Sequence, residues 1–167
     1  MSTSQLQRMS PPQSHSLLDE RDLCPAQVVH EAGRARVLLI GDHAGNAIPG
    51  SLVDLGLSTR DRGRHIALDL GVEALGRELA TTLDCTFIYQ PFSRLVIDCN
   101  RDPKSPTSIL EMSDGTPIPG NSRLHPATRE ERRVAIHEPY HQRIALEVGK
   151  LRAHGVCPVL IALHSFT

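Results

Sequence analysis

Two short apolar runs, each ending close to a histidine, most constrain the fold of this chain. Residues 37–40 are followed by Gly41-Asp42-His43, and residues 159–163 are followed directly by His164. Uninterrupted apolar runs of this length are typical of buried strands in a largely parallel sheet. Because ligands in such sheets collect at the carboxyl ends of the strands, the pattern predicts that both imidazoles reach one sheet edge.

The remaining patterns indicate one α/β domain with a mostly parallel or mixed sheet flanked by helices. Further strand-like runs occupy residues 86–89 and 95–97. Between the first two runs, apolar residues recur at helical spacing from Ile66 to Leu83, which predicts an amphipathic helix. Residues 1–24, rich in Ser, Gln and Pro, are predicted to form a mobile arm, and residues 25–167 the domain.

The second half of the chain combines a long loop with a long helix. Five prolines and two glycines within residues 102–126 predict the loop, and long loops in compact domains are often functional. Thr128 resembles a helix N-cap, and Gly155 is a typical helix stop. Pro139 is expected to break or kink the helix between them.

Composition excludes several classes of function. The formal net charge is −1 and aromatic residues make up 3% of the chain, so neither nucleic acid nor an anionic membrane is expected as a partner. No apolar stretch is long enough to span a membrane, and no signal-peptide pattern is seen. The four cysteines form no C-x-x-C pair, which favours reduced thiols in a cytoplasmic protein. Nucleophile-elbow, P-loop and dinucleotide-binding motifs do not occur.

The residues after the two strands have the types that bind a metal. His43 and Asn46 form an H-x-x-N arrangement after the first strand, and His164 follows the last. Zn²⁺ accepts imidazole nitrogen and side-chain oxygen, and a catalytic site needs three protein ligands and an open position. Asp42 is a candidate to orient a ligand or to be one. Alternatively, each histidine satisfies a strand-end hydrogen bond and Asp42 forms a turn.

Two arginines and an asparagine flank the third strand-like run. The guanidinium forks of Arg94 and Arg101, with Asn100 beside the latter, match a substrate that carries carboxylates. Ion pairs with Asp98 or Asp102 are the alternative for the arginines.

Four further residues are candidates for lining the site. His65 and Asp69 are four positions apart on the predicted helix and would share one face. Tyr140 and His141 follow Pro139 near a predicted helix start. The alternatives are helix capping or a local ion pair for the first two residues, and a core tyrosine beside an exposed histidine for the others.

With these residues in view, the chain resembles the N-formylglutamate amidohydrolase family. The matching stretches occur in the family's order: GDHAGNAIP (41–49), Asp61 with HIALDLG (65–71), SRLVIDCNR (93–101), IPGN (118–121), PYH (139–141) and HSFT (164–167). Several motifs in order are far more specific than any one of them.

The resemblance implies a phosphorylase/hydrolase-like fold, similar in outline to zinc carboxypeptidases. It implies a metal-dependent hydrolase, with Zn²⁺ or another divalent ion, that cleaves the formyl amide of N-formylglutamate or a similar N-acyl acidic amino acid during histidine degradation. His43 and His164 match metal-ligand positions, whereas Asn46 stands where the carboxypeptidase pattern has glutamate. Asn100-Arg101 resembles the carboxylate-binding pair, and Asn121 falls in a matching motif that could line the site.

Members of the family continue well beyond the HSFT stretch. The domain is therefore expected to be incomplete, and the general base is expected beyond Thr167. Two alternatives follow: a non-catalytic fragment that keeps the carboxylate pocket, or an amidohydrolase for another acylated amino acid. An incomplete sheet would also leave an exposed edge, which predicts self-association.

Overall fold

A mixed four-stranded sheet forms the centre of the domain in the computed structural model, which describes residues 16–155 and 157–166. The strands are β1 (Gln27–Val29), β2 (Val37–Gly41), β3 (Thr86–Tyr89), β4 (Met112–Ser113), β5 (Thr116–Pro117) and β6 (Val159–Ala162). The order in the central sheet is β1-β3-β2-β6; β2 is parallel to β3 and to β6, and β1 is antiparallel to β3. β4 and β5 form a separate antiparallel hairpin.

Helices cover both faces of the sheet, which confirms the predicted α/β class. Alternate residues of a strand point to opposite faces, so Leu39 and Phe87 pack on one side with residues of α2, and Leu38 and Ile88 on the other side with residues of α4. Gly76 in α2 has no side chain, and a Cβ there would overlap the Phe87 ring. The helices are α1 (Thr59–Arg62), α2 (Val72–Thr82), α3 (Pro126–Arg132) and α4 (Glu138–Ala153).

The helix predicted from Ile66 begins only at Val72. Residues 63–71 form turns instead, because the Asp69 N–H donates to the His43 carbonyl at 2.8 Å and holds this segment at the end of β2. Gly71, with φ of 81°, then turns the chain into α2. The apolar spacing correctly predicted a helix, but the predicted helix began six residues too early.

The strand predicted at residues 95–97 is wrong. This segment is a buried turn, in which the Val96 N–H donates to the Ser93 carbonyl at 2.9 Å. Burial alone therefore accounts for its apolar composition. Conversely, the sequence did not predict β1, because its three residues are too few to show a periodic pattern.

The second helical region begins slightly earlier than predicted and is interrupted where a break was expected. His125, not Thr128, caps α3, since its Nδ1 accepts the Ala127 N–H at 3.2 Å. A π turn over Arg133–His137 separates α3 from α4, and Pro139 lies in the first turn of α4, where its missing N–H costs little. Gly155, with φ of 73°, ends the region as predicted.

Residues 102–126 form the expected long irregular segment, which contains the β4–β5 hairpin and short 3₁₀ turns. The first fifteen residues of the predicted arm lie outside the described residues. Residues 16–24 have no helix or strand, yet Leu17 is buried in the core and the Asp22 carboxylate accepts the Gly50 N–H at 2.9 Å.

β6 lies at one edge of the sheet, and its apolar side chains are 39–50% exposed at Val159, Leu160 and Ile161. Self-association through this edge stays a prediction. Among the described helices, none has the length and apolarity needed to cross a membrane.

Candidate metal centre

The two strand-end histidines meet at one edge of the sheet, as the sequence predicted. β2 and β6 are parallel neighbours, so His43 and His164 leave the same edge, and their ring centroids lie 5.4 Å apart. His43 is buried and His164 is partly exposed. The pair therefore sits at a point that is enclosed by the protein on one side and reachable on the other.

Asp69 completes a group of three side chains that could hold a metal. Its Oδ2 lies 2.9 Å from His164 Nδ1 and 3.6 Å from His43 Nδ1. One ligand atom from each of the three residues lies within 4.8 Å of the others. The backbone bond from Asp69 to the His43 carbonyl places this carboxylate beside both imidazoles.

The other nitrogen of His43 is held by Asp98. His43 Nε2 donates to Asp98 Oδ1 at 2.7 Å, and the Asn100 N–H donates to the same oxygen at 2.9 Å. Burial raises the pKa of Asp98, but the His43 bond, the charges of His43 and Arg94 and the Asn100 N–H together lower it to about 2. An ionised Asp98 fixes the proton of His43 on Nε2 and leaves the Nδ1 lone pair directed at the group.

His164 has a comparable carboxylate behind it. Its Nε2 lies 3.6 Å from Asp42 Oδ2, and the Tyr140 hydroxyl donates to Asp42 Oδ1 at 2.8 Å. Burial, together with the Asp42 charge, raises the pKa of Tyr140 well above its ordinary value, so the phenol stays a donor. The arrangement fits Asp42 as an orienting group better than as a ligand.

Two observations show that these residues fit a divalent metal. Buried His43 Nδ1 has no hydrogen-bond partner among the described residues, although a buried polar atom normally has one. Asp42, Asp69 and Asp98 are each 5% exposed as whole residues, and among the described residues Arg94 is the cation paired with their carboxylates besides the histidines. A divalent cation would neutralise the remaining two negative charges and give the orphaned nitrogen a partner.

Arg94 contacts carboxylates of the protein. Its Nη2 donates to Asp98 Oδ2 at 2.9 Å, and its Nη1 lies 3.5 Å from Asp69 Oδ1. A small cavity of about 160 Å³ opens beside it. Polar residues of the cavity lining are His65, Arg94, Asp98, Thr107 and Ser113.

Asn46, predicted as a ligand, is not brought into the group. Its side chain is exposed and its amide donates to the Arg62 carbonyl at 3.0 Å. Asn100 and Arg101 are exposed, and their described hydrogen bonds are made by the backbone: the Asn100 N–H donates to Asp98 Oδ1, the Arg101 N–H donates to the Asp98 carbonyl at 3.2 Å, and the Arg101 carbonyl accepts from His137 Nε2 at 3.1 Å. Within the described residues, neither side chain makes a hydrogen bond or an ion pair.

His65, Asn121 and His141 are not members of the three-residue group. His65 is 44% exposed and 3.6 Å from Asp114. Asn121 is buried and bonds to Arg132 and to two backbone carbonyls. His141 Nε2 lies 2.9 Å from the Cys99 carbonyl.

Sequence reasoning underrated two aspartates. It placed Asp69 beside His65 on a helix face, and it considered Asp98 only as an ion-pair partner of an arginine. Asp98 does carry a recognisable signal, because it follows an apolar run directly, as His43 nearly does. Asp69 carries no comparable signal, since a turn and not a periodic element directs its carboxylate.

The fold and this group define the chain as an α/β protein with a candidate divalent-metal centre at the carboxyl edge of its sheet. The model of the N-formylglutamate amidohydrolase family matches residues 35–167, and the chain belongs to this family. The resemblance seen in the motifs is thereby confirmed.

The solved structures that are similar to the chain include the following two. A gene product from Agrobacterium tumefaciens is 37% identical with a TM-score of 0.87, and the match covers 90% of this chain and 60% of that one. N-formylglutamate amidohydrolase from Ralstonia eutropha is 22% identical with a TM-score of 0.58, covering 86% of this chain and 58% of that one, and supports the fold alone. The chain thus spans about three-fifths of their length. Comparison with curated proteins gave no match.

Proposed function

We propose that this chain carries the metal-binding part of a hydrolase that cleaves the formyl amide of N-formylglutamate or of a similar N-acyl acidic amino acid. The observation that carries the proposal is the group of His43, Asp69 and His164, whose ligand atoms lie within 4.8 Å of one another. Family membership supplies the reaction class.

In this proposal His43 Nδ1, Asp69 Oδ2 and an imidazole nitrogen of His164 hold Zn²⁺ or another divalent ion. Such an ion supplies Lewis-acid chemistry, activating water and polarising a carbonyl. Asp98 keeps the proton of His43 on Nε2, and Asp42 orients His164 with the help of Tyr140. These groups hold the ligands in one orientation before the ion arrives.

The substrate carboxylates would meet Asn100 and Arg101. Both side chains are exposed, and Asn100 is joined through its backbone to Asp98, which contacts His43. A substrate carboxylate held by these two residues would lie next to Asp98, on the same side of the metal group as that residue. The guanidinium of Arg101 offers the planar fork that binds a carboxylate with two hydrogen bonds.

Zinc content and glutamate release from N-formylglutamate test the proposal directly. The purified chain is expected to bind zinc, His164→Ala to lose it, and Asn46→Ala, whose side chain lies outside the group, to retain it. Asp69→Asn is expected to weaken binding as well. Zinc stoichiometry that is unchanged in His164→Ala would refute the ligand set.

A panel of N-acyl amino acids defines the substrate. Hydrolysis restricted to acidic N-formyl compounds would support the proposed class, and equal hydrolysis of neutral ones would contradict a role for Arg101. Arg101→Met is expected to raise KM for N-formylglutamate with zinc content unchanged, because its side chain makes no contact with the ligands.

A further inference from the structure

We propose that Arg94 is a positioning residue of the metal centre, whose guanidinium bridges Asp69 and Asp98 and so holds the ligand Asp69 directly and the ligand His43 through Asp98. This inference rests on the metal site of the proposed function. It concerns how the ligands are held, and it assigns Arg94 to the protein's own carboxylates in place of a substrate carboxylate.

The two oxygens of each aspartate have different partners, and one of them in each case is the Arg94 guanidinium. Arg94 Nη2 donates to Asp98 Oδ2 at 2.9 Å, and Asp98 Oδ1 accepts from His43 Nε2 at 2.7 Å. Arg94 Nη1 lies 3.5 Å from Asp69 Oδ1, and Asp69 Oδ2 lies 2.9 Å from His164 Nδ1. Each carboxylate therefore contacts the arginine with one oxygen and a histidine with the other.

The backbone secures the same connection. The Arg94 N–H donates to the Ala67 carbonyl at 3.2 Å, and the Ser93 hydroxyl donates to that carbonyl at 2.8 Å. Residues 93–94 are thus tied to the turn that carries Asp69, two positions beyond Ala67. Movement of the arginine and of the ligand carboxylate is coupled through main chain and side chain alike.

Burial makes this contact more than a surface ion pair. The side chains of Asp69 and Asp98 are each 7% exposed and that of Arg94 is 28% exposed. Water and salt screen such charges weakly. A guanidinium is planar and presents its N–H groups in a fixed fork, so it sets the distance between two carboxylates, whereas an ammonium acts as a point charge.

The same contacts argue against Arg94 as the anchor for a substrate carboxylate. Both terminal nitrogens of its guanidinium already face buried carboxylates. A third carboxylate would have to compete with them, or bind only to the remaining exposed edge. Arg101, which is exposed and faces no carboxylate within the described residues, is free for that role.

Zinc affinity, measured without substrate by competition with a chromophoric chelator, tests the inference. Arg94→Met is expected to weaken zinc binding about 10- to 100-fold, the range seen when groups that orient metal ligands are removed. Arg94→Lys keeps the charge but cannot bridge, so it is also expected to weaken binding by about tenfold. Arg101→Met is the matched control and is expected to bind zinc like the parent chain.

Zinc affinity that stays at the parent level in folded Arg94→Met, or in Arg94→Lys, would overturn the bridge. If Arg94→Met fails to fold by circular dichroism, Arg94→Lys decides the question. A raised KM with unchanged zinc affinity in Arg94→Met would instead identify a substrate contact, which overturns the inference and leaves the proposed function standing. Weakened zinc binding in a chain that never hydrolyses N-formylglutamate would support the inference and refute the function.

Discussion

Replacing Asn121 with alanine is expected to destabilise the domain strongly, although this residue belongs to a motif that resembles a functional one. Its amide donates to the Leu95 and Leu110 carbonyls at 2.8 Å each, and its oxygen accepts from Arg132 Nη1 at 2.7 Å. Arg132 is fully buried, and burial lowers the pKa of its guanidinium to about 10. Asn121 thus joins the long loop to α3 and accepts one of the hydrogen bonds that the buried Arg132 guanidinium donates.

The size of the effect follows from those three bonds. Two neutral hydrogen bonds contribute about 1 kcal/mol each, and the bond to a charged group about 2 kcal/mol, so Asn121→Ala should lose about 4 kcal/mol. For a domain of this size that corresponds to a fall in Tm of about 10 °C. Urea denaturation followed by circular dichroism measures the change directly.

Asn46→Ala is the matched control, because Asn46 is exposed and its side chain makes a single bond, to the Arg62 carbonyl. Its expected cost is below about 1 kcal/mol. Asn121→Asp should fall between the two, since a carboxylate keeps an acceptor for Arg132 but has no donor for the two carbonyls. A loss below 1 kcal/mol in Asn121→Ala, with a loss of substrate binding, would refute the structural role and favour a residue that lines the site.

Three further outcomes follow from individual contacts in the structure. Asp98→Asn should weaken zinc binding about 10- to 100-fold by removing the carboxylate that orients His43, and chelator competition that detects no change would contradict this. Tyr140→Phe should lower the free energy of unfolding by about 1–3 kcal/mol, because buried Asp42 loses its donor; an unchanged urea midpoint would exclude it. Burial, assisted by neighbouring charges, lowers the pKa of His137, so the unfolded chain takes up a proton first as the pH falls through about 6.5, and stability declines there. His137→Gln should make stability less dependent on pH between about 7.5 and 5.5, and equal slopes in urea titrations would rule this out.

Local sequence was sufficient for elements that have an uninterrupted apolar run or a regular helical spacing of apolar residues. The runs at β2, β3 and β6 are buried or apolar throughout, and the spacing within α2 matches a helix with one face on the sheet. It failed where two structures share one pattern. Residues 95–97 are as apolar as a strand, yet they form a turn. A buried turn and a buried strand expose equally little surface, so apolar composition does not distinguish them.

The sequence by itself determined that two imidazoles leave neighbouring strands at one sheet edge, because apolar runs predict parallel strands and parallel strands end together. Only the tertiary structure decided which side-chain oxygen lies beside the two imidazoles. The H-x-x-N spacing pointed to Asn46, but that amide turns away to the Arg62 carbonyl. Asp69, which lies 26 residues after His43 in the chain, brings its carboxylate beside both histidines instead, since a long-range backbone bond to His43 turns that carboxylate inward. Such a contact depends on the packing of distant segments, and no local periodicity records it.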